Sequence, residues 1–425
     1  MSQLSDSTLK LLAAALIGGS TIYISSFFIP NLIKNIENNK KTGKNKFIEN
    51  LIYNIYEKLS SNFKKITHSA SASSSSSPDT KFPTPVIVPV SNDFNYLNAK
   101  PYPYRPFKNG EYKMTLAIRK LDPNDFIFVE DTYKQITDIR AKAIDQFTDE
   151  CSACHPSAEP ALRETYDLVT SFLTTRYPMH FEKISSNDNS DVDIFYNKIR
   201  NEKFPFKNDS IKDIKEILKI IARTIEEDIL ILIKNPDNDQ LDEYILRSGI
   251  SIFPAGFNPM EKFNQPLTNI HIPVPYYLQK LQTSMNKFFQ RLQINEFIVR
   301  NNWSVQTHTK LRAPTGSHAT KQDKVVELNA KDLDFNKVFL RCEKQSFTRL
   351  PNSKADLMLI RTYTTPLTQI REEGRGEHLC NAIDGLPADL QIYKRKVFWG
   401  EAVKSYLRNE TNGATDEIYK YQFTE

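Results

Sequence analysis

The chain has 425 residues, 40% of them hydrophobic and 11% aromatic, enough for one large core or two ordinary ones. The net charge is +5, much of the lysine excess lies in the first 65 residues, and no basic stripe with interleaved aromatics follows, which disfavours nucleic acid. Four cysteines (Cys151, Cys154, Cys342, Cys380) make no disulfide framework in a chain this long and fit a reducing compartment, while 12 glycines leave no Gly-rich phosphate loop, and no HExxH or GxSxG is present.

Residues 11–30 carry no charge. A helix of that length reaches about 30 Å, enough to span a bilayer core. A cleaved signal peptide competes with that reading, but only Lys10 precedes the stretch and no small-residue cleavage site ends it. A buried core helix is the ordinary alternative. Lys34, Lys40, Lys41, Lys44 and Lys46 follow the segment, against Lys10 and Asp6 before it. The asymmetry predicts a single-pass membrane protein with its bulk in the cytosol, at the endoplasmic reticulum or mitochondrial outer membrane. Residues 47–66 read as an amphipathic stalk or membrane-surface helix, and the serine run 69–78 as a flexible linker. The expected organisation is an anchor with its basic flank (1–45), a stalk and linker (46–92), and one main domain (93–425).

Within that domain, residues 113–120 alternate as a half-buried strand does. Leu121-Asp122-Pro123-Asn124-Asp125 reads as a turn and N-cap. Helices are expected over 126–147 and 160–176, a polar irregular stretch over 183–207, and one helix over 211–233 that turns almost wholly apolar at its end. Residues 244–246 and 250–253 read as paired short strands, with a turn at 254–257. Residues 338–350 and 357–363 alternate cleanly about Pro351-Asn352-Ser353-Lys354, which predicts a hairpin. Helices starting near Pro366 and over 382–390 and 394–410 complete an α+β fold.

His271 has the most ordered setting of any histidine here. Pro273 and Pro275 fix φ and remove two donors, so the segment is expected to be extended rather than helical. A helix should follow, with Tyr277, Leu278, Leu281, Met285, Phe288, Phe289 and Leu292 on one apolar face. Two readings of His271 stand: an axial nitrogen for haem iron or another metal, or an imidazole hydrogen-bonded at a helix start. Cys151, Cys154 and His155 spell the c-type haem attachment pattern. Covalent attachment needs maturation outside the cytosol, so ordinary cysteines or a weak metal site is the preferred reading. The hairpin places Arg341, Glu343, Gln345 and Arg349 on one face, with Arg361 and Tyr363 on the partner strand. Such a face can clamp carboxylates, haem propionates included, because Arg makes bidentate charge-assisted bonds. A solvated sheet face is the plainer alternative.

RPFKNGEYKMTLAIRKLDPNDFI, FPAGFNP, LTNIHIPVPYYLQKLQTSMNKFF, VRNNW and LRCEKQSFTRLPNSKADLMLIRTYTTPL occur in this order. With them, residues from Tyr104 to Tyr406 resemble the haem-dependent oxidative N-demethylase alpha-subunit-like family, also called the HRQ family. The resemblance implies a PAS-like antiparallel sheet with flanking helices that binds haem b non-covalently. It implies oxidative removal of a methyl group from a small amine, using dioxygen and electrons from a separate redox partner, with release of formaldehyde. On this chain it implies His271 as the axial iron ligand, and Arg300, Asn302 and Trp303 of the RxNW motif as pocket support. Glu343, Gln345, Arg349, Arg361 and Tyr363 are implied to line the pocket or hold propionates. Lys344 stands where the family more often has Arg or His. The CSACH motif, the N-terminal anchor and the serine linker lie outside the family pattern, and no fused reductase is present. A haem or small-ligand sensor, or a membrane scaffold without turnover, is the alternative function.

Overall fold

The computed structural model describes residues 82–185, 192–234 and 243–413. The expected anchor 11–30, the amphipathic stretch 47–66 and the serine run 69–78 lie outside them. Among the described residues no helix is long and apolar enough to cross a membrane. The longest, Glu159–Arg176, has 18 residues and carries charges along its outer side. This corrects the expected single-pass topology, the membrane as a partner, and the placement at the endoplasmic reticulum or mitochondrial outer membrane.

The described residues form an α+β fold around a large antiparallel sheet. In chain order the strands are β1 (Arg119–Lys120), β2 (Ser152–Cys154), β3 (Phe181–Ile184), β4 (Ile194–Asn197), β5 (Glu202–Pro205), β6 (Asp228–Lys234), β7 (Tyr244–Ile250), β8 (Ile298–Gln306), β9 (Phe339–Arg349) and β10 (Asp356–Pro366). Seven of them make the main sheet in the order β1-β8-β9-β10-β6-β7-β2, and β3-β4-β5 make a small second sheet. The β9–β10 hairpin forms as expected about Pro351 to Lys354, with Leu350 N donating to Ala355 O at 2.9 Å.

Strand alternation gives the main sheet two different faces. Ile229 and Ile231 of β6 and Leu357 and Leu359 of β10 pack under the helices Tyr133–Gln146, Glu159–Arg176 and Ile214–Thr224. On the same face, Trp303, Leu340, Cys342 and Tyr363 pack under the helices Leu367–Glu372, Gly376–Asp384 and Lys396–Leu407. The opposite face is covered by short helices and loops between residues 254 and 292, with Leu246, Leu267, Tyr277, Met285, Phe289 and Phe347 between them.

Several elements differ from expectation for identifiable reasons. The expected helix 211–233 stops at Thr224, and its apolar tail becomes β6, an interior strand apolar on both faces. Residues 183–207 hold the small sheet, whose one-sided burial of Phe181 and Phe195 leaves a mostly polar sequence. The expected strand 113–120 pairs only at Arg119–Lys120. The two short strands expected near 244–253 are the single strand β7. His271 closes the short helix Leu267–His271 instead of lying in an extended segment. The prolines follow the helix, so they end it without removing any of its donors. A π-turn at Tyr277–Leu281 precedes the helix Gln282–Arg291 and offsets the expected register, leaving Leu278 half exposed at 50%.

Candidate functional site

The second face of the sheet floors a cavity. β8 contributes Arg300, Asn302 and Ser304, β9 Glu343, Gln345 and Phe347, and β10 Met358 and Ile360. Register sets Arg300 beside Gln345 and Asn302 beside Glu343. Tyr112, Met114, Leu116, Ile118, His271, Phe288, His318 and Lys394 complete the walls. The cavity volume is about 590 Å³, within the roughly 300–1,000 Å³ typical of cofactor and ligand sites. Leu230, Leu232, Leu246, Phe288 and Phe347 make much of the wall apolar.

The local fold fixes how His271 meets this space. Its ring nitrogen Nδ1 lies 2.8 Å from Leu267 O, one helical turn back. A carbonyl only accepts, so Nδ1 carries the proton and Nε2 keeps its lone pair. The ring stacks on Tyr277, centroids 5.0 Å apart and planes 19° apart. Burial, with Arg300 and Lys262 nearby, holds the imidazole below its ordinary pKa, and the Leu267 carbonyl opposes that shift. A neutral, oriented imidazole whose second nitrogen is tied to a carbonyl is the form in which histidine binds metals.

Charge on the cavity wall is unbalanced. Arg300 Nη1 donates to Gln345 Oε1 at 3.2 Å, while its buried Nε has no hydrogen-bond partner. Lys394 Nζ donates to Trp303 O at 2.7 Å, and burial pushes its pKa down to about 8. Lys262 is a third cation on the wall. Of the two carboxylates, Asp228 is consumed by Arg140 at 2.7 Å and by the Ile252 and Phe253 amides at 3.0 Å each. Glu343 remains, held by Gln345 Nε2 at 3.2 Å with Arg341 Nε at 3.6 Å. A buried guanidinium with an unmade bond is costly unless an anion meets it.

Of the residues singled out in the sequence, His271, Arg300, Asn302, Glu343 and Gln345 line this one cavity. Trp303, Arg361 and Tyr363 do not. Each sits one residue out of phase with the cavity residues, so its side chain leaves the opposite face of the sheet. Trp303 and Tyr363 enter the core beside Cys342, and Arg361 enters a buried ion cluster with Glu130 and Glu226. The expected carboxylate clamp spanning both strands is therefore split between two faces. Arg349 shares the cavity face but is spent at its end, on Asp356 at 2.9 Å and the Tyr244 hydroxyl at 2.6 Å. Arg341 is fully buried and donates to Phe253 O and Leu311 O.

Cys151, Cys154 and His155 lie away from the cavity. Both cysteines are unpaired, and His155 Nδ1 accepts from Ser157 N at 3.2 Å as a local cap. Among the described residues no group of three or more His, Cys, Asp or Glu is placed to hold a bare metal ion. Sequence reasoning missed His318, Lys394 and Lys262. His318 sits in an irregular PTGSHAT stretch with no periodicity to signal it, and Lys394 was absorbed into an expected helix. The arrangement as a whole offers imidazole nitrogens at His271 and His318, a largely apolar wall and the Arg300 guanidinium, which suits a flat apolar cofactor that carries both a metal and acidic groups. The sequence model of the family described as haem-dependent oxidative N-demethylase, alpha subunit-like, matches residues 117–404, and the chain belongs to that family.

Proposed function

We propose that this protein binds haem b non-covalently in the cavity on the second face of its sheet, used in the manner of a PAS-like domain, and oxidatively removes a methyl group from a small amine. The observation that carries this is the pairing, in one largely apolar cavity, of a neutral His271 presenting Nε2 with the Arg300 guanidinium on the wall. When bound, haem supplies the oxidising chemistry, with dioxygen and electrons from a separate electron-transfer protein, and the methyl group leaves as formaldehyde.

The chain's own part is to hold, orient and desolvate. His271 gives its Nε2 to the metal, and the Leu267 carbonyl keeps the proton on Nδ1. Arg300 takes a propionate through the guanidinium end that lines the cavity. Phe288, Phe347 and the leucines exclude water and so strengthen every polar contact inside. Glu343, oriented by Gln345, receives the cationic amine, where a carboxylate offsets the cost of burying an ammonium.

Titrating the full chain with ferric haem should produce a saturable Soret band, and His271→Ala should abolish or strongly shift it. With reductant and dioxygen, a panel of N-methyl amines should then release formaldehyde. A chain that gives no Soret band, or one indifferent to His271→Ala, overturns the cofactor reading. Haem binding without formaldehyde would instead indicate a sensor.

A further inference from the structure

The cavity holds a second imidazole in the same state as the first. His318 lies on the long connection between β8 and β9, whose described backbone holds little regular structure beyond the 3-10 turn Ala330–Asp332. Its Nδ1 is 3.1 Å from Gly256 O. As at His271, the carbonyl partner dictates that Nδ1 carries the proton and Nε2 keeps the lone pair. The ring stacks on Tyr393, centroids 4.1 Å apart and planes 15° apart. The neighbouring backbone is pinned to the same residue, with Ala319 N donating to Tyr393 O at 3.1 Å.

The seat is shaped for this ring. Gly256 has φ +79°, and a Cβ built there would lie 2.1 Å from His318 Nδ1. Only glycine both adopts that backbone conformation without strain and leaves room for the imidazole. Burial pushes the His318 pKa down to about 4, the Gly256 carbonyl opposing, so the ring is neutral at physiological pH. Lys262 lies near enough to depress the basicity of both rings, and both line one cavity.

Each of the two rings has Nδ1 anchored on a carbonyl, and neither Nε2 is sealed inside the protein, so both stay open to a ligand in the cavity. With its proton fixed on Nδ1, His318 cannot donate from Nε2 to a bound ligand; that nitrogen accepts a hydrogen bond or coordinates a metal.

We propose that His318 is the second nitrogen ligand of the cofactor iron, so that the resting protein holds haem between two imidazoles. The inference rests on the haem reading above. His271 belongs to a helix, whereas His318 belongs to an irregular segment. His318 is therefore the ligand that yields, and its departure opens that side of the cavity to a small molecule.

The test is the ferric spin state of the haem-loaded full chain, read by visible absorption and electron paramagnetic resonance. The wild-type protein should be six-coordinate and low-spin. His318→Ala should keep its Soret band, shift to high-spin, and return to low-spin on addition of free imidazole. A high-spin wild-type protein, or a His318→Ala variant with an intact Soret band and unchanged spin state, overturns the proposal and leaves haem binding through His271 standing. Absence of any Soret band in the wild-type chain overturns both.

Discussion

One guanidinium answers three carboxylates on the helix-covered face of the sheet. Arg361 Nη2 lies 2.6 Å from Glu130 and 2.5 Å from Glu226, and Nη1 lies 3.3 Å from Glu227, all of them buried. Thr132 donates to Glu226, the Tyr363 hydroxyl donates to Glu130, and Lys344 is the other cation close by, donating to Asp125 O at 2.6 Å. Two cations cannot fully neutralise three buried anions. Burial raises the Glu226 pKa to about 7, the neighbouring Glu130 and Glu227 adding to the rise and Arg361 opposing it. A carboxyl raised in the folded state stabilises most below its unfolded value, and that stability is lost as pH climbs through 7. Glu226→Gln, permanently neutral, should therefore gain stability relative to wild type between pH 5 and pH 8, by roughly 2 kcal/mol. Asp356 and His318 also titrate with shifted values, but they are common to both chains and cancel. Urea unfolding of both proteins at the two pH values checks this; a constant difference between them would refute it.

At the scale of the element, β10 shows how a single strand serves two purposes. Leu357, Leu359, Arg361 and Tyr363 are buried under the helices, while Met358 and Ile360 face the cavity. Leu359→Ala removes a side chain that is 1% exposed and packed in the largest core, which costs roughly 2–5 kcal/mol. Met358→Ala opens onto space that already exists, so its cost should be less than half as large, and it should change haem affinity instead. Denaturant midpoints and haem titrations of the two variants separate the faces. The same alternation explains what could be read from sequence. The hairpin was legible because its two faces differ and Pro351-Asn352 punctuates it. β6 was not, since Ile229 to Ile233 is apolar on both faces and a continuous apolar run has no period to distinguish strand from helix. The cavity was half legible. His271 stood out through the prolines behind it, and the hairpin polar residues through their spacing, but which face each occupied depended on a register offset of one residue. His318 and Lys394 come from loops and helix ends brought in by tertiary structure alone.

For the whole molecule, the segment that precedes the sheet ties its layers together. Val88 N donates to Asn124 Oδ1 at 2.8 Å, Arg176 Nη1 donates to Val88 O at 2.6 Å, and Val90 N donates to Arg176 O at 2.9 Å. Ile87 and Val90 pack against the first core. Further on, Tyr104 packs on Tyr363 with ring centroids 5.0 Å apart, and Arg105 makes a bidentate pair with Glu373 at 2.8 and 2.6 Å, both within the second core's helices and strands. Met114, Leu116 and Ile118 then roof the cavity. One extended strap thus touches the three-helix layer, the C-terminal helices and the candidate site in succession. A boundary drawn at Asp93, where composition alone places the start of the domain, removes the first of these contacts. Burying a Val or Ile side chain contributes roughly 1.5–3 kcal/mol, and these two are only partly covered. A chain beginning at Asp93 should therefore be less stable than one beginning at Thr80 by about 2 kcal/mol, with the helix Glu159–Arg176 losing amide protection first near its C-terminus. Urea midpoints and hydrogen exchange of the two chains measure this directly. Equal midpoints would mean that residues 82–92 lie on the fold without supporting it, and that the tie begins only at Tyr104.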